Sequence, residues 1–238
     1  DNECRDFSIL GVLTPGVSAE YVKVPGVNII PKPAGLSFQE AAGIGITYTT
    51  AWNGLVLRAG IRQGETVLVR SAGSGAGTAC IQVAKLFNAR VIATVGSVDK
   101  VEKAKSLGAD LVVNYREEDP LDAVKRFTSG VLADIVVDHA GGDGFSRSLA
   151  ALKRGGRLVT FGATAGDEAK VSLRQVFGKN LAIHGIYVGP RAAAHQYLPL
   201  FPKKLRTVVD SVFPFESAPR AYERLLSRGV FGKIIVTV

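Results

Sequence analysis

The feature that most constrains this chain is a regular alternation of short β-branched runs with helical segments between residues 66 and 187. Six runs have the length and composition of buried strands: Thr66–Arg70, Arg90–Val95, Leu111–Val113, Asp134–Asp138, Gly156–Phe161 and Leu181–Tyr187. Strands that alternate with helices form a parallel sheet covered on both faces. Right-handed crossovers then predict an α/β fold with a doubly wound Rossmann sheet, in the strand order 3-2-1-4-5-6.

The two ends of the chain have a different pattern. Residues 1–35 are rich in proline and contain short extended runs such as Glu20–Val24. Residues 215–238 combine one amphipathic helix with a last strand over Lys233–Val236. We therefore predict a dinucleotide-binding domain over 48–187, which interrupts a second, β-rich domain made of residues 1–47 and 188–238.

Charge and cysteine content limit the classes of partner. The chain has 29 Lys and Arg residues against 21 Asp and Glu, a net charge of +8. Its longest basic cluster, Lys203–Arg206, is too short for a nucleic-acid-binding arm, so we expect a small anionic ligand. The longest uncharged stretch, Ala41–Leu57, is too short and polar to span a membrane. Two cysteines, Cys4 and Cys80, cannot form a disulfide framework and fit a reducing, cytoplasmic compartment.

A glycine-rich turn over Ser71–Thr78 joins the first predicted strand to the next helix. Small residues there let the backbone approach a pyrophosphate, and the helix N-terminus adds partial positive charge. A strict G-x-G-x-x-G is absent, so the turn could also be structural only. Within it we predict that four residues contact a dinucleotide: Gly73, Ser74, Gly75 and Ala76.

The end of the second strand bears on the choice of cofactor. Dinucleotide sites for NAD place an acid there, about 20 residues beyond the glycines. This position is Val95, and Ser97 and Lys100 follow it as potential ligands of a 2′-phosphate. The pattern favours NADP(H), although Asp99 could serve NAD(H). Alternatively, Ser97 caps the next helix and Lys100 is merely solvated.

Several stretches along almost the whole chain resemble one superfamily: Ala19–Val22, Ile30–Pro33, Thr49–Trp52, Ala72–Gly77, Leu107–Asp110, Val113–Tyr115, Gly155–Leu158, Phe161–Ala163 and Phe231–Ile234. By them the chain is identified as similar to the medium-chain dehydrogenase/reductases, in the branch of zinc-type alcohol dehydrogenases and quinone oxidoreductases. The resemblance implies a GroES-like catalytic domain around the Rossmann domain. Such chains carry about 100 further residues, a domain's worth, ahead of this start.

The resemblance also implies roles for individual residues. Thr50 resembles a Thr that packs against the nicotinamide, and Tyr115 a Tyr beside the adenosine phosphate. The Phe161–Gly162–Ala163 turn resembles the backbone that contacts the carboxamide, and Lys233 a basic residue near the cofactor phosphates. The alternatives are a surface aromatic for Tyr115 and a protective edge-strand charge for Lys233.

Zinc is not expected in this chain. The run 1–5 resembles the end of a lobe that holds a structural zinc, and Cys4 would be its last ligand. The other three ligands would precede this start, so structural zinc would require that segment. In the zinc alcohol dehydrogenases a third catalytic-zinc ligand lies four residues before the Thr that matches Thr50. That position is Ile46, which ligates nothing.

The sequence shows no Ser-His-Asp or Cys-His arrangement that would mark catalytic groups. His139 follows the fourth strand and could act as an acid or base, but a hydrogen-bonded position at the rim of the groove fits it better. The expected activity is hydride transfer between NADP(H) and a carbonyl, quinone or activated alkene. The rival interpretations are a non-catalytic NADPH-binding fragment and a nucleic-acid binder.

The predicted sixth strand suggests how copies of the chain would associate. The run 181–188 is mostly apolar, free of Lys and Pro, and last in the sheet order. We expect it to pair with its symmetry mate in a homodimer or tetramer.

Overall fold

A computed structural model describes residues 3–238 of the chain. Its main sheet has six parallel strands: β1 Thr66–Val69, β2 Arg90–Val95, β3 Leu111–Asn114, β4 Ala133–Val137, β5 Leu152–Thr160 and β6 Ala182–Gly185. They are ordered β3-β2-β1-β4-β5-β6 and every pairing between them is parallel. The predicted doubly wound Rossmann sheet is therefore confirmed.

The described residues form nine α-helices: α1 Phe38–Ala42, α2 Gly45–Trp52, α3 Gly75–Leu86, α4 Val101–Lys105, α5 Pro120–Phe127, α6 Phe145–Ala150, α7 Leu173–Gly178, α8 Ala194–Tyr197 and α9 Ala218–Leu226. A π-helical segment, Asn53–Arg58, continues α2. A 3₁₀ turn, Val98–Lys100, leads directly into α4. None of the described helices is long and apolar enough to cross a membrane.

Side chains of alternate strand residues build two apolar layers, one on each face of the sheet. Val67 and Val69 belong to the layer shared with α2 and α3. Leu68, between them, belongs to the layer shared with α5 and α6. Because both faces are covered, the carboxyl edge of the sheet is where a ligand can reach it.

The sixth strand is shorter than the sequence suggested. We expected Leu181–Tyr187, but the strand covers only Ala182–Gly185. Ile186 still donates a hydrogen bond to the Thr160 carbonyl, and Val188 then adopts a left-handed backbone with φ of 57°. The left-handed residue lies outside the observed strand and turns the chain away from the extended conformation.

A second, two-stranded sheet lies outside the main one. Strand β7, Val209–Pro214, pairs in parallel with β8, Lys233–Thr237, and α9 makes the crossover between them. The sequence indicated α9 and β8 but not β7. The extended run Glu20–Val24 is not paired into a sheet, and the part of 3–35 described here forms one isolated bridge, between Leu10 and Thr14.

Candidate functional site

The turn after β1 brings α3 close against the strand. Ser71 has a left-handed backbone with φ of 50°, and Ala72 donates its amide to the Thr94 carbonyl of β2. A Cβ on Gly77 would lie 2.6 Å from the Ser71 carbonyl oxygen and 2.8 Å from the Ala72 Cα. Only glycine fits there, so the N-terminus of α3 points at the carboxyl edge from a fixed position.

Ser74 connects this turn to the one after β4. It is the N-cap of α3, and its Oγ accepts the Gly77 amide at 2.9 Å. The same Oγ shares a hydrogen bond of 3.1 Å with His139 Nε2. The His139 ring is buried and stacks on Phe161 of the turn after β5, with 5.1 Å between centroids. Burial lowers the pKa of His139, although the Asp138 carboxylate opposes that shift.

A partly buried ion pair involves Asp138, the residue before His139. The Asp138 carboxylate, 0% exposed, accepts Arg70 Nη1 at 2.7 Å and the Ser148 hydroxyl at 2.6 Å. Its other oxygen accepts the backbone amides of Ala140 and Gly141 at 3.0 and 3.1 Å. Burial alone would raise the pKa of Asp138, but the Arg70 guanidinium and these hydrogen bonds hold it below its usual range. The carboxylate thus shapes the turn after β4.

We did not anticipate this ion pair from the sequence, although a signal was present. Arg70 follows β1 and Asp138 follows β4. The predicted strand order makes these two strands neighbours, so opposite charges at their carboxyl ends meet at the switch point of the sheet.

The turn after β5 packs closely on the turn after β4. A Cβ on Gly162 would lie 2.8 Å from the His139 carbonyl oxygen. Ala163 lies beside Gly141, whose backbone is left-handed with φ of 68°. Phe161, Gly162 and Ala163 line a surface groove together with the end of β6. The three residues of the predicted carboxamide contact therefore border the same edge as the glycine turn.

The C-terminal strap, residues 228–233, crosses the glycine turn. The Gly232 amide donates to the Gly73 carbonyl at 2.8 Å, and the Ser74 backbone forms a bridge with Gly232. The Lys233 side chain lies so close to Gly75 that a Cβ there would be 2.6 Å from Lys233 Cδ. Tertiary structure thus brings Lys233 to the N-terminus of α3, where its charge adds to the positive end of the helix dipole.

The candidate phosphate ligands after β2 already have protein partners. Lys100 Nζ donates to the Arg228 carbonyl of the strap at 2.8 Å, and burial lowers the pKa of Lys100. A hydrogen bond from Ser97 lowers the pKa of the exposed Asp99 carboxyl. Val95, at the acid position, is buried at 2% exposure. The nearest carboxylate after β2 is therefore Asp99, hydrogen-bonded by Ser97.

Tyr115 and Thr50 lie on different elements near the carboxyl edge of the sheet. The half-exposed Tyr115 ring packs on Gly96 at the end of β2, where a Cβ would lie 2.8 Å from Tyr115 Cζ. Thr50 is buried on α2, one turn beyond Thr47 and on the same face. The Thr47 methyl approaches the Cβ position of Gly75 to 3.0 Å. Thr50 is thus one helical turn from a residue that contacts the glycine turn, and Tyr115 lies at the end of β2.

The described residues contain no cluster of three or more His, Cys, Asp or Glu that could hold a metal ion. Ile46 is exposed on α2 and offers no ligand atom. Cys4 is exposed, while burial raises the pKa of the Cys80 thiol to about 12. Residues 1 and 2 of the run that resembles a zinc lobe lie outside the described residues.

Comparison with known proteins decides the family. The profile of the family described as zinc-binding dehydrogenase matches residues 75–203. A zinc-type alcohol dehydrogenase-like protein of Schizosaccharomyces pombe is 30% identical over 100% of this chain and 72% of its own length. The chain belongs to the medium-chain dehydrogenase/reductase superfamily. It is accordingly an oxidoreductase of the NAD(P)-dependent kind.

Other relatives lie in both branches of the superfamily. Quinone oxidoreductase-like protein 2 of Mus musculus is 33% identical over 97% of this chain and 69% of its own length. A crystal structure described as an NAD-dependent alcohol dehydrogenase is 44% identical, with a TM-score of 0.95 over 100% of this chain and 70% of that one. The quinone oxidoreductase of Thermus thermophilus, described with an NADPH complex, is 35% identical, with a TM-score of 0.85 over 95% of this chain and 75% of that one. This chain thus spans about 70% of the length of these medium-chain dehydrogenase/reductases.

Proposed function

We propose that this medium-chain dehydrogenase/reductase uses NADP(H) and transfers a hydride between the nicotinamide and a carbonyl, quinone or activated alkene. The observation that carries the proposal is the position of Lys233 on the glycine turn, beside the N-terminus of α3. A lysine and a helix N-terminus at one point form a site for a pyrophosphate. When bound, the cofactor supplies the hydride chemistry.

The chain's own residues would bind and orient the cofactor. Gly73 to Ala76 let the pyrophosphate approach the backbone, and Lys233 neutralises its charge. Buried Thr50 and the turn Phe161–Ala163 would hold the nicotinamide from two sides. Tyr115 packs over Gly96, where its ring can border the adenosine. Keeping the ring ordered and out of water favours hydride transfer.

Preference for NADP(H) rests on the end of β2. Buried Val95 offers no carboxylate to a ribose 2′-hydroxyl, whereas Ser97 and Lys100 offer a hydroxyl and a charge to a 2′-phosphate. To bind it, Lys100 would exchange the Arg228 carbonyl for the phosphate. NAD(H) is the alternative, because the exposed Asp99 carboxylate follows Ser97 and a 44% identical structure is described as NAD-dependent.

Cofactor titration followed by fluorescence tests this preference. We expect NADPH to bind more tightly than NADH. Lys100→Ala should reduce the binding free energy of NADPH by about 1–2 kcal/mol and leave that of NADH nearly unchanged. Asp99→Asn is the comparison variant: because it removes a negative charge, it should not weaken NADPH binding, and it should weaken NADH binding only if NAD(H) is the natural cofactor. Equal losses of affinity for NADPH and NADH in Lys100→Ala would show that Lys100 acts by holding the strap and not by binding the 2′-phosphate.

Hydride transfer is proposed to occur without catalytic zinc, because Ile46 occupies the position of the third ligand. Metal analysis of protein purified without added zinc should find less than one zinc per chain. One tightly held zinc, with activity lost to chelators, would refute this part of the proposal.

Activity itself needs a separate test, because the chain spans only part of its relatives' length. Turnover with a panel of quinones, enones and aldehydes is expected. Binding of NADPH without turnover of any of them would favour the non-catalytic fragment. Salt-dependent RNA or DNA binding that NADPH does not displace would favour the nucleic-acid binder.

We further propose that residues 1–47 and 188–238 are portions of the GroES-like catalytic domain and that the chain dimerises through β6. The Ile183 side chain is 40% exposed on this edge strand, and its symmetry mate would cover it. Light scattering at micromolar concentration should give the mass of a dimer. A mass near 25 kDa, that of one chain, refutes the dimer.

A further inference from the structure

The C-terminal strap is held against the glycine turn by a buried carboxylate that lies outside the cofactor site. Asp210 of β7 has a side chain only 4% exposed. One of its oxygens accepts Arg224 Nη2 at 2.8 Å and the Phe231 backbone amide at 2.9 Å. The other accepts Arg224 Nε at 2.9 Å and the Ser211 hydroxyl at 3.0 Å. Asp210 thus binds one side chain of α9 at two points and the strap at one.

Arg224 extends the same arrangement to a second point of the strap. Its Nη2 also donates to the Gly229 carbonyl at 3.3 Å. The guanidinium is planar and cannot rotate its donors independently, so the bidentate pair with Asp210 fixes its direction. Burial alone would raise the pKa of Asp210, but the hydrogen bonds from Arg224, Phe231 and Ser211 hold it below its usual range.

The strap residues that follow these anchors are the ones that contact the glycine turn. Phe231 is buried against Gly73, and the Gly232 amide donates to the Gly73 carbonyl. Lys233 follows at once, with its amide on the Val208 carbonyl and its side chain over Gly75. The position of Lys233 therefore depends on a backbone that Asp210 ties down two residues earlier.

We propose that Asp210 is a positioning residue for cofactor binding, which acts through Arg224 and the Phe231 amide to hold the strap across the glycine turn and so places Lys233 beside the N-terminus of α3. Asp210 touches no cofactor itself. The inference rests on the proposed function, because it assigns to Lys233 the task of binding a dinucleotide pyrophosphate. It assigns a role to a carboxylate that neither the glycine motif nor the strand pattern marks.

The first experiment needs no cofactor. Hydrogen exchange of the cofactor-free protein is compared for wild type, Asp210→Asn and Asp210→Ala. We expect the amides of Phe231 and Gly232 to exchange at least 10-fold faster in Asp210→Ala, with a smaller increase in Asp210→Asn, whose carboxamide oxygen can still accept a hydrogen bond. Unchanged exchange of these amides in both variants would overturn the proposal.

The second experiment is a double-mutant cycle on the dissociation constant of NADPH. Asp210→Asn should weaken binding about 5-fold in the wild-type background. Combined with Lys233→Met, it should produce almost no further loss, because the residue it positions has lost its charge. Additive losses would mean that Asp210 affects NADPH binding independently of Lys233 and would overturn the positioning role.

Asp110→Asn is a matched control for both experiments. The Asp110 carboxylate also accepts a cation, Lys85 Nζ at 2.9 Å, and a backbone amide, that of Val91 at 2.6 Å. Val91 lies near the amino-terminal end of β2, whereas the glycine turn lies at the carboxyl ends of the strands. Asp110→Asn should leave NADPH binding and the exchange of strap amides unchanged.

The outcomes separate this inference from the proposed function. A wild-type protein that binds neither NADPH nor NADH refutes the proposed function and this inference with it. A wild-type protein that binds NADPH, with Asp210→Asn loosening the strap but leaving the dissociation constant unchanged, refutes the positioning role alone.

Discussion

The turns after β1 and after β4 lie side by side at the carboxyl edge of the sheet but are held by opposite means. The first depends on missing side chains: Gly77 allows α3 to approach the Ser71 carbonyl. The second depends on a buried charge: Asp138 accepts Arg70, Ser148 and two backbone amides. A small residue tolerates close approach at little electrostatic cost, whereas a buried carboxylate must be fully bonded.

The two turns are nevertheless connected. Arg70 lies at the end of β1 but bonds the carboxylate after β4, and Ser74 of the first turn bonds His139 of the second. A substitution in either turn should therefore also affect the other. The loss in the free energy of unfolding on substitution shows how much each turn contributes to stability.

Removal of the buried charge should have the largest effect. Asp138→Ala leaves Arg70 without its partner and two backbone amides without an acceptor, so the free energy of unfolding should fall by about 3–5 kcal/mol. Urea denaturation measures it. Asp138→Asn, which can still accept the amides, should lose less, and a loss below about 1 kcal/mol in Asp138→Ala would contradict the assigned role.

Filling the glycine turn should have the next largest effect. Gly77→Ala forces its Cβ against the backbone of Ser71 and Ala72, and we expect a loss of about 1–3 kcal/mol with weaker NADPH binding. Gly178→Ala at the end of α7 is the matched control, because open space surrounds its Cβ position. Equal effects of the two substitutions would show that the close approach of α3 to β1 is unimportant.

Loss of the Ser74 hydroxyl, which connects the two turns, should lower the free energy of unfolding by a smaller amount. Ser74→Ala removes the N-cap of α3 and the bond to His139, for a loss of about 0.5–2 kcal/mol in thermal or urea unfolding. Ser172→Ala removes only an N-cap, that of α7. The difference between the two variants reports the Ser74–His139 bond, and no difference would mean that this bond contributes nothing.

The smallest expected effect is the change in the free energy of unfolding at acid pH, which depends on the buried Asp138 carboxylate. The pKa of Asp138 is lower folded than unfolded, so its contribution is fully present above the unfolded value, about pH 3.9. It is lost as the pH falls through the folded value. Below about pH 4 the free energy of unfolding should therefore decrease more steeply in wild type than in Asp138→Asn, as measured by urea titration. Parallel slopes would contradict the lowered pKa.

The sequence determined the sheet and its order. Alternation of apolar strands with helices is a local pattern, and right-handed crossovers leave few topologies that satisfy it. The position of the glycine turn followed for the same reason, since a strand, a set of small residues and a helix are consecutive in the chain. The strand pattern also placed Phe161–Ala163 at the same edge as the glycine turn, because these residues follow a strand of the same sheet.

Tertiary structure alone decided which charges meet. Asp210 binds a residue 14 positions away and an amide 21 positions away, and Lys233 of β8 contacts Gly75 of α3. Strand β7 escaped prediction because it contains Asp210, Ser211 and Pro214, which are residue types typical of turns and loops. Local spacing fixes the period of an element and its faces, whereas contacts between distant segments depend on packing that no single stretch of sequence contains.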